Sequence, residues 1–172
     1  MNQIDFSIKG AKNQLISMLD RLLFLMEQRR VIEQQLRDLA RLRDKNQFNN
    51  LQTVPGIGPI TAIGIMAEIG NIGRFTHFKQ LASYVGLVPR LHQSGESNKT
   101  GGITYRNNSY LRPLLIEASW QAIRADPAML NYYQDRVNKS NSKKAVIKVA
   151  RKLLSKIAFV MRRNTKYERG IC

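Results

Sequence analysis

The sequence predicts an all-α protein in which a long N-terminal coiled-coil helix precedes a compact helical domain containing a helix-hairpin-helix motif. Three features indicate this fold: an unbroken heptad seam, a Pro-Gly-Ile-Gly-Pro turn followed by an apolar helix, and a C-terminal series of capped amphipathic helices. We therefore assign residues 1–50 to the coiled-coil helix and residues 51–172 to the compact domain.

The first helix is predicted over residues 11–46, a stretch without proline or glycine after Gly10. Two series of positions spaced seven apart form an a/d seam over more than four heptads. Either the helix packs on its own domain or it pairs with a second chain, parallel or antiparallel, and we favour a dimer. The seam consists of Leu15, Leu22, Arg29, Leu36 and Arg43 at a, and Met18, Leu25, Ile32, Leu39 and Asn46 at d.

The next stretch, residues 51–70, reads LQTVPGIGPITAIGIMAEIG. The glycine-containing turn is followed by a helix that opens at Pro59 or Ile60, since proline is tolerated in the first helical turn. The helix-hairpin-helix interpretation predicts that Gly56 and Gly58 bind phosphate. Backbone N–H groups at the start of a helix bind a phosphate oxygen independently of the base sequence. The alternative is a turn between two core helices. Residues expected on one helical face are Ile60, Ile63, Gly64 and Ala67.

A helix over residues 75–84 and a short extended segment over 85–88 are expected before a long polar segment, residues 86–112, without helical periodicity. This segment contains three candidate hydroxyl nucleophiles, Ser94, Ser97 and Thr100, of which we favour Ser94 because it precedes a glycine. A hydroxyl beside fixed cations suits phosphoryl transfer, although a solvated loop would have a similar composition. The candidate phosphate contacts here are Arg90, Lys99, Arg106 and Arg112.

The C-terminal part predicts three helices with clear start signals. Ser109 is expected to cap a helix that runs to about residue 125, and Asp126-Pro127 is expected to start a helix over 128–137. After a turn at 138–142, a helix over 143–163 carries one apolar stripe and many cations. On this helix the predicted DNA contacts are Lys148, Arg151 and Lys152.

The charge balance indicates a polyanionic partner. The chain has 28 Lys and Arg against 12 Asp and Glu, a net charge of +16, of which residues 101–172 contribute +11. A single cysteine, Cys172, excludes an intrachain disulfide, and two histidines give no metal-ligand spacing. No apolar run approaches the ~18 residues of a membrane span, and no secretory signal is recognisable. We therefore expect a cytoplasmic, nucleoid-associated protein without a membrane partner or a metal ligand set.

These motifs together resemble the C-terminal, serine-bearing transposase domain of bacterial insertion-sequence transposases whose N-terminal domain is a RuvC-like DEDD fold. The resemblance covers about residues 51–120 in the family's order and spacing, and the heptad helix is similar to the family's inter-domain coiled coil. The matching residues are the segment VPGIGPITA from Val54, then Phe75, Leu81, Ala82, Tyr84, Gly86, Leu87, Pro89, Ser94, Gly95, Gly102, Ile103, Asn108, Leu111, Arg112, Leu115 and Ala118.

The resemblance implies a DNA recombinase guided by a structured RNA, in which Ser94 attacks a DNA phosphodiester. It also implies that Mg²⁺ is held by acidic residues of the N-terminal domain, which this sequence does not contain, so no cofactor is expected in the chain itself. On this interpretation the chain alone binds DNA but is an incomplete enzyme.

Two alternatives belong to other functional classes. One is a non-catalytic, dimeric helix-hairpin-helix protein that binds nucleic acid through backbone contacts. The other is a basic RNA-binding structural protein. The Ser94-Gly95 pair, flanked by the family's motifs, distinguishes the transposase hypothesis from both.

Overall fold

The computed structural model describes residues 9–94, 97–103 and 108–168, with the two strands described by their backbone. Within these residues the fold is helical, as predicted, with one small β-hairpin that the sequence analysis did not predict. The elements are α1 (Lys9–Leu51), α2 (Pro59–Ile69), a short 3-10 helix (Ile72–Arg74), α3 (Phe78–Val85), β1 (Pro89–Ser94), β2 (Ser97–Ile103), α4 (Leu111–Ala125), α5 (Pro127–Val137) and α6 (Ser142–Arg163).

Helix α1 is interrupted at Asp44, whose backbone is extended (φ −161°, ψ 92°) rather than helical. The Asp44 carboxylate accepts a hydrogen bond of 2.8 Å from the backbone N–H of Gln47. This is the geometry of an N-cap, so Asp44 ends one helical segment and starts the next. The predicted continuity of the seam from Arg43 to Asn46 is therefore wrong, because the two residues lie on either side of the break.

The chain divides into two compact units, residues 1–39 and residues 40–172. In the first unit, α1 presents exposed apolar side chains along its length, and Arg30 forms an exposed ion pair with Glu27 at 2.7 Å. No helix in the described part of the chain is long and apolar enough to cross a bilayer. The large exposed apolar residues of this unit are Leu15, Ile16, Met18, Leu19, Leu22, Leu23, Phe24, Leu25, Met26, Val31, Ile32, Leu36 and Leu39.

The second unit is built around α6, which packs against α3, α4, α5 and the 3-10 helix. Burial of apolar side chains is the main driving force for folding, and one whole face of α6 contributes to the core of this unit. The apolar stripe predicted for α6 is confirmed in full. Its members, all buried, are Val146, Val149, Ala150, Leu153, Ile157 and Val160.

The starts of the last two helices follow local capping rules. The Asp126 carboxylate accepts a hydrogen bond of 2.9 Å from the N–H of Ala128, which confirms the predicted start of α5. The Asn141 side chain caps α6 in the same way through the N–H of Lys144, also at 2.9 Å. The predicted cap of α4 is wrong: the side chain of Asn108, rather than Ser109, accepts hydrogen bonds from the first N–H groups.

The prediction that residues 86–112 are irregular is wrong, because this segment contains an antiparallel hairpin. Strand β1 pairs with β2 in a register that places His92 opposite Lys99 and Ser94 opposite Ser97, with an irregularity between Pro89 and Leu91. The prediction of a helix from residue 75 is also wrong at its start. Phe75 has extended backbone after the 3-10 helix, and α3 begins at Phe78.

Candidate functional site

The hairpin carries the candidate nucleophile. Ser94 is the last residue of β1, and its backbone partner Ser97 is the first residue of β2. Of the predicted cations, Arg90 lies on β1 and Lys99 lies on β2, so the hairpin brings both onto the same two-stranded ribbon as Ser94. Arg106 lies outside the described residues.

The segment that leads into β1 is attached to α6. The Arg151 guanidinium donates a hydrogen bond of 2.9 Å from Nη1 to the carbonyl oxygen of Leu87. The same guanidinium lies 5.4 Å from the centre of the Phe78 ring, a cation–π contact with α3. Because a charged donor to a carbonyl makes a strong hydrogen bond, Arg151 fixes the backbone two residues before the strand.

The segment that follows β2 is attached through Asn108. Its backbone N–H donates to the Tyr84 carbonyl at 3.1 Å, and its side-chain Nδ2 donates to Glu68 Oε2 at 2.5 Å. Its Oδ1 accepts from the N–H groups of Tyr110 at 3.0 Å and Leu111 at 2.7 Å. One side chain therefore connects α2 to the start of α4 and fixes the chain just beyond the hairpin.

Aromatic and cationic groups support this second attachment. The Arg74 guanidinium lies 4.6 Å from the centre of the Phe75 ring and 4.8 Å from that of Tyr84, and its Nη2 donates to the Glu68 carbonyl at 2.9 Å. The Tyr84 hydroxyl donates to the same carbonyl at 3.2 Å. Sequence reasoning missed these residues as part of the site. The usable signal was Asn108 itself, an asparagine placed just before an amphipathic helix.

Arg112 lies in the first turn of α4 and is partly buried. Desolvation by burial lowers the pKa of Arg112, yet a guanidinium remains charged at neutral pH.

The two predicted phosphate-binding glycines occupy different environments. Gly56 has a left-handed backbone (φ +82°) and packs so closely on α4 that a Cβ at this position would lie 3.1 Å from the Ala122 nitrogen and overlap the Ala118 carbonyl oxygen. Gly58 is exposed at the start of α2, with φ −82° and open space around it. Gly56 therefore sets the packing of the turn, and Gly58 is the one accessible to a ligand.

The three predicted contacts on α6 also differ. Lys148 is exposed, whereas Arg151 is committed to the Leu87 carbonyl. The Lys152 ammonium lies 4.4 Å from the centre of the Tyr132 ring, which also carries the Arg136 guanidinium at 4.8 Å. Trp120 meets Tyr133 edge-on with ring centres 5.7 Å apart. The contact between α5 and α6 thus combines cations with an aromatic ring, and Trp120 of α4 packs on Tyr133 of α5.

The acidic side chains of the described residues do not converge on a site for the Mg²⁺ implied by the resemblance. Within the described ranges, no three His, Cys, Asp or Glu side chains are grouped closely enough to hold a metal ion. Glu68 is engaged with Asn108 rather than with a second carboxylate. These residues therefore do not form a ligand set for Mg²⁺.

Comparison with known proteins shows that the chain is similar to a family of transposases. Residues 35–134 match the family model described as "Transposase IS116/IS110/IS902 family". The chain is 37% identical over 92 residues to the transposase for insertion sequence element IS1111A of Coxiella burnetii. The aligned region covers 54% of this chain and 25% of that protein. It is 36% identical over 124 residues to the pilin gene-inverting protein of Moraxella bovis. This aligned region covers 70% of this chain and 38% of the relative.

A third relative is a protein of insertion element IS110 from Streptomyces coelicolor, described as uncharacterized. It is 29% identical over 143 residues, which is 83% of this chain and 35% of the relative. The chain thus spans between a quarter and two fifths of the length of these three relatives.

Proposed function

The chain belongs to the IS116/IS110/IS902 transposase family, and from this membership and the site geometry we propose that it is the part of a DNA transposase that supplies Ser94 as the nucleophile for strand cleavage and exchange. The observation that supports this most is the hairpin, which ends β1 at Ser94 and is attached to the helices beside both strands. Arg151 holds Leu87 before β1, and Asn108 is held after β2. Such attachment would fix the base of the hairpin from which we propose that Ser94 reaches the DNA.

The proposed chemistry is a transesterification. The Ser94 hydroxyl oxygen attacks a DNA phosphorus, a new P–O bond to serine forms, and the bond from phosphorus to one sugar oxygen breaks. The proton that serine loses ends on the leaving sugar oxygen. Because one phosphodiester replaces another, the bond energy is kept for rejoining the strand. Charge developing on the phosphoryl oxygens would be offset by Arg90, Lys99, Arg106 and Arg112.

We propose that DNA is bound mainly through phosphates. The exposed Gly58 at the start of α2 and the exposed Lys148 on α6 suit backbone contacts, and Lys152 lies on the same helix. Gly56 and Arg151 are assigned to shaping this surface, since Gly56 is packed on α4 and Arg151 is bonded to Leu87. Binding of this kind carries little sequence information, so target choice would come from elsewhere.

Three further components belong to the proposal. Mg²⁺ would be held by an acidic N-terminal domain of the kind that the resemblance implies, a structured guide RNA would select the target, and α1 would pair with a second copy. We accordingly propose that this chain by itself binds DNA and cleaves little of it. We also propose that it acts in the cytoplasm, at the nucleoid, where its DNA substrate lies.

The test is a covalent-adduct assay. The chain is combined with the DEDD-type domain of a full-length relative, its guide RNA and labelled target DNA, and protein–DNA adducts are separated under denaturing conditions. Ser94→Ala should abolish the adduct, whereas Ser97→Ala, at the position opposite Ser94 in the backbone register, should retain it.

Persistence of the adduct in Ser94→Ala, or its mapping to Ser97, would refute the assignment. DNA binding without any adduct in the wild type would instead favour a non-catalytic helix-hairpin-helix protein. Robust cleavage by the 172-residue chain alone would refute the proposal that an acidic N-terminal domain holds the Mg²⁺ needed for cleavage.

A further inference from the structure

The segment after α6 is held in place by hydrogen bonds to distant parts of the chain. Asn50 Nδ2 donates to the Asn164 carbonyl at 2.9 Å, and the Tyr167 N–H donates to Thr53 Oγ1 at 2.7 Å. The Tyr167 hydroxyl donates to Asp126 Oδ2 at 2.6 Å. Residues 164–168 are therefore fixed to the end of α1 and the start of α5, and the position of the Tyr167 ring is set at both its backbone and its hydroxyl.

A cavity of about 440 Å³ lies between this segment and the last turns of α6. This volume is within the range of small-molecule sites in proteins. Because the segment is fixed by hydrogen bonds, the cavity is formed without a ligand. It is lined by Ser155, Lys156, Phe159, Thr165, Lys166, Tyr167 and Glu168.

Phe159 is the unusual member of this lining. Phe159 is 56% exposed, while the residues on either side of it on α6, Ala158 and Val160, are buried. Burial within the fold stabilises this side chain only in part, since more than half of the residue's surface stays exposed. Its ring is, however, available to a flat ligand that enters the cavity beside Tyr167.

The charges of the lining select the class of ligand. The Lys156 ammonium lies 5.9 Å from the centre of the Tyr167 ring, and Lys166 adds a second cation, against the single carboxylate of Glu168. The surrounding region is strongly basic, with a net charge of +11 over residues 101–172. An aromatic ring combined with lysines suits a planar base attached to a phosphate.

We propose that this cavity binds an unpaired base of a nucleic-acid strand, with the base stacked on Phe159 and the adjoining phosphates contacted by Lys156 and Lys166. A paired base is enclosed in its duplex, so the cavity selects single-stranded segments. The site lies outside the hairpin that carries Ser94, and its action is a binding step that does not depend on serine chemistry.

The experiment uses the 172-residue chain and two fluorescein-labelled DNA strands of equal length and charge, one of thymidines and one of abasic residues, followed by anisotropy. Phe159→Ala should weaken binding of the thymidine strand by about 5- to 150-fold, the range measured for loss of base–aromatic stacking. Binding of the abasic strand should not change. Phe159→Tyr keeps a ring and should bind like the wild type.

Leu130→Ala is the matched control, because it truncates another exposed apolar side chain outside the cavity, on α5. Lys166→Gln should reduce the salt dependence of single-strand binding by about 0.7 in log–log slope. Lys79→Gln removes an equal charge from α3 and should leave this slope unchanged. Parallel measurements with a uridine RNA strand establish whether DNA or RNA occupies the cavity, and binding of either supports the proposal.

The proposal is overturned if Phe159→Ala binds the thymidine and uridine strands like the wild type, or if it weakens the abasic strand equally. The measurement is strand binding without cleavage, so a failure of the serine assignment leaves this result unaffected. Because Phe159 is exposed, its variants should keep the wild-type melting temperature, and this measurement shows that any loss of binding is local.

Discussion

The side-chain amide of Asn108 donates a hydrogen bond of 2.5 Å to the Glu68 carboxylate, across 40 residues of sequence. The other end of that amide, Oδ1, caps α4 through Tyr110 and Leu111. A hydrogen bond to a charged acceptor contributes more to stability than a neutral one, and here it is combined with a helix cap. The end of the hairpin segment is therefore fixed by a residue that also starts α4.

Asn108→Ala should lower the free energy of unfolding by about 1–3 kcal/mol, because it removes the cap of α4 and the partner of Glu68 together. Urea denaturation followed by circular dichroism measures this loss. In the adduct assay, without denaturant and at a temperature where the variant stays folded, the same substitution should also reduce the yield from Ser94.

Asn108→Asp separates the two roles of this side chain. The substitution keeps a capping oxygen but places a second carboxylate against Glu68, so the variant should remain destabilised at neutral pH. Adding Glu68→Gln supplies an amide donor to the introduced carboxylate, and the double variant should recover much of the stability. An Asn108→Asp variant as stable as the wild type would contradict the proposed contact.

Gly56→Ala should unfold or severely destabilise the second unit, by at least about 2 kcal/mol, because φ is positive and the new methyl overlaps the backbone of α4. Gly58→Ala is the matched control in the same turn. It has negative φ and open space, so it should cost no more than about 1 kcal/mol. Thermal denaturation of both variants checks the difference, and equal losses would contradict this division of roles.

The helices were predictable where a local pattern decides the structure. The stripe on α6 and the Asp126 cap of α5 need only residues a few positions apart, and both are observed. The face of α2 was predicted less well. Of the predicted face, Gly64 is buried against Tyr110 and Leu114, Ile60 and Ile63 are partly buried, and Ala67 is exposed. The other buried residues of α2, Ala62, Ile65, Met66 and Ile69, were not predicted, because a helix that is apolar all round gives no periodic signal.

The candidate site was less predictable because its contacts are non-local. The strands at residues 89–94 and 97–103 are mostly polar, and the second contains two glycines, so they lack the alternation that identifies a strand. The bond from Arg151 to Leu87 joins residues 64 apart, and no spacing rule indicates it. Sequence therefore located the candidate nucleophile, while the structure was needed to find what holds the hairpin.

Lys148→Ala and Arg151→Ala should separate DNA binding from stability. Lys148 is exposed, so its removal should reduce the slope of log K against log salt by about 0.9 on duplex DNA and leave the melting temperature unchanged. Arg151→Ala loses the Leu87 hydrogen bond and the Phe78 contact, so it should lower the melting temperature. A salt dependence in Lys148→Ala equal to that of the wild type would remove Lys148 from the DNA surface.

The loss of stability at acidic pH should depend slightly on Asp135. A hydrogen bond and ion pair from Lys139, at 3.1 Å, lower the pKa of Asp135 below its ordinary 3.8. A carboxyl whose pKa falls on folding stabilises the folded state above its unfolded pKa, and this contribution is lost as the pH falls through the folded pKa. Asp135→Asn should thus melt slightly lower than the wild type at neutral pH, and the difference should disappear below the folded pKa. A constant difference over this range would argue against the ion pair.

The apolar stripe of α1 predicts self-association. Leu25 is 53% exposed and occupies a d position of the predicted seam. An isolated helix with such a stripe is marginal unless the stripe is buried. We expect the chain to sediment as a dimer at about 10 µM and Leu25→Asp to weaken the dimer by at least about tenfold, since a carboxylate is costly to bury in a seam. Ser17→Asp, at an outer c position, should sediment like the wild type. A monomeric wild type at this concentration, or a Leu25→Asp variant that still dimerises, would refute the coiled-coil interpretation.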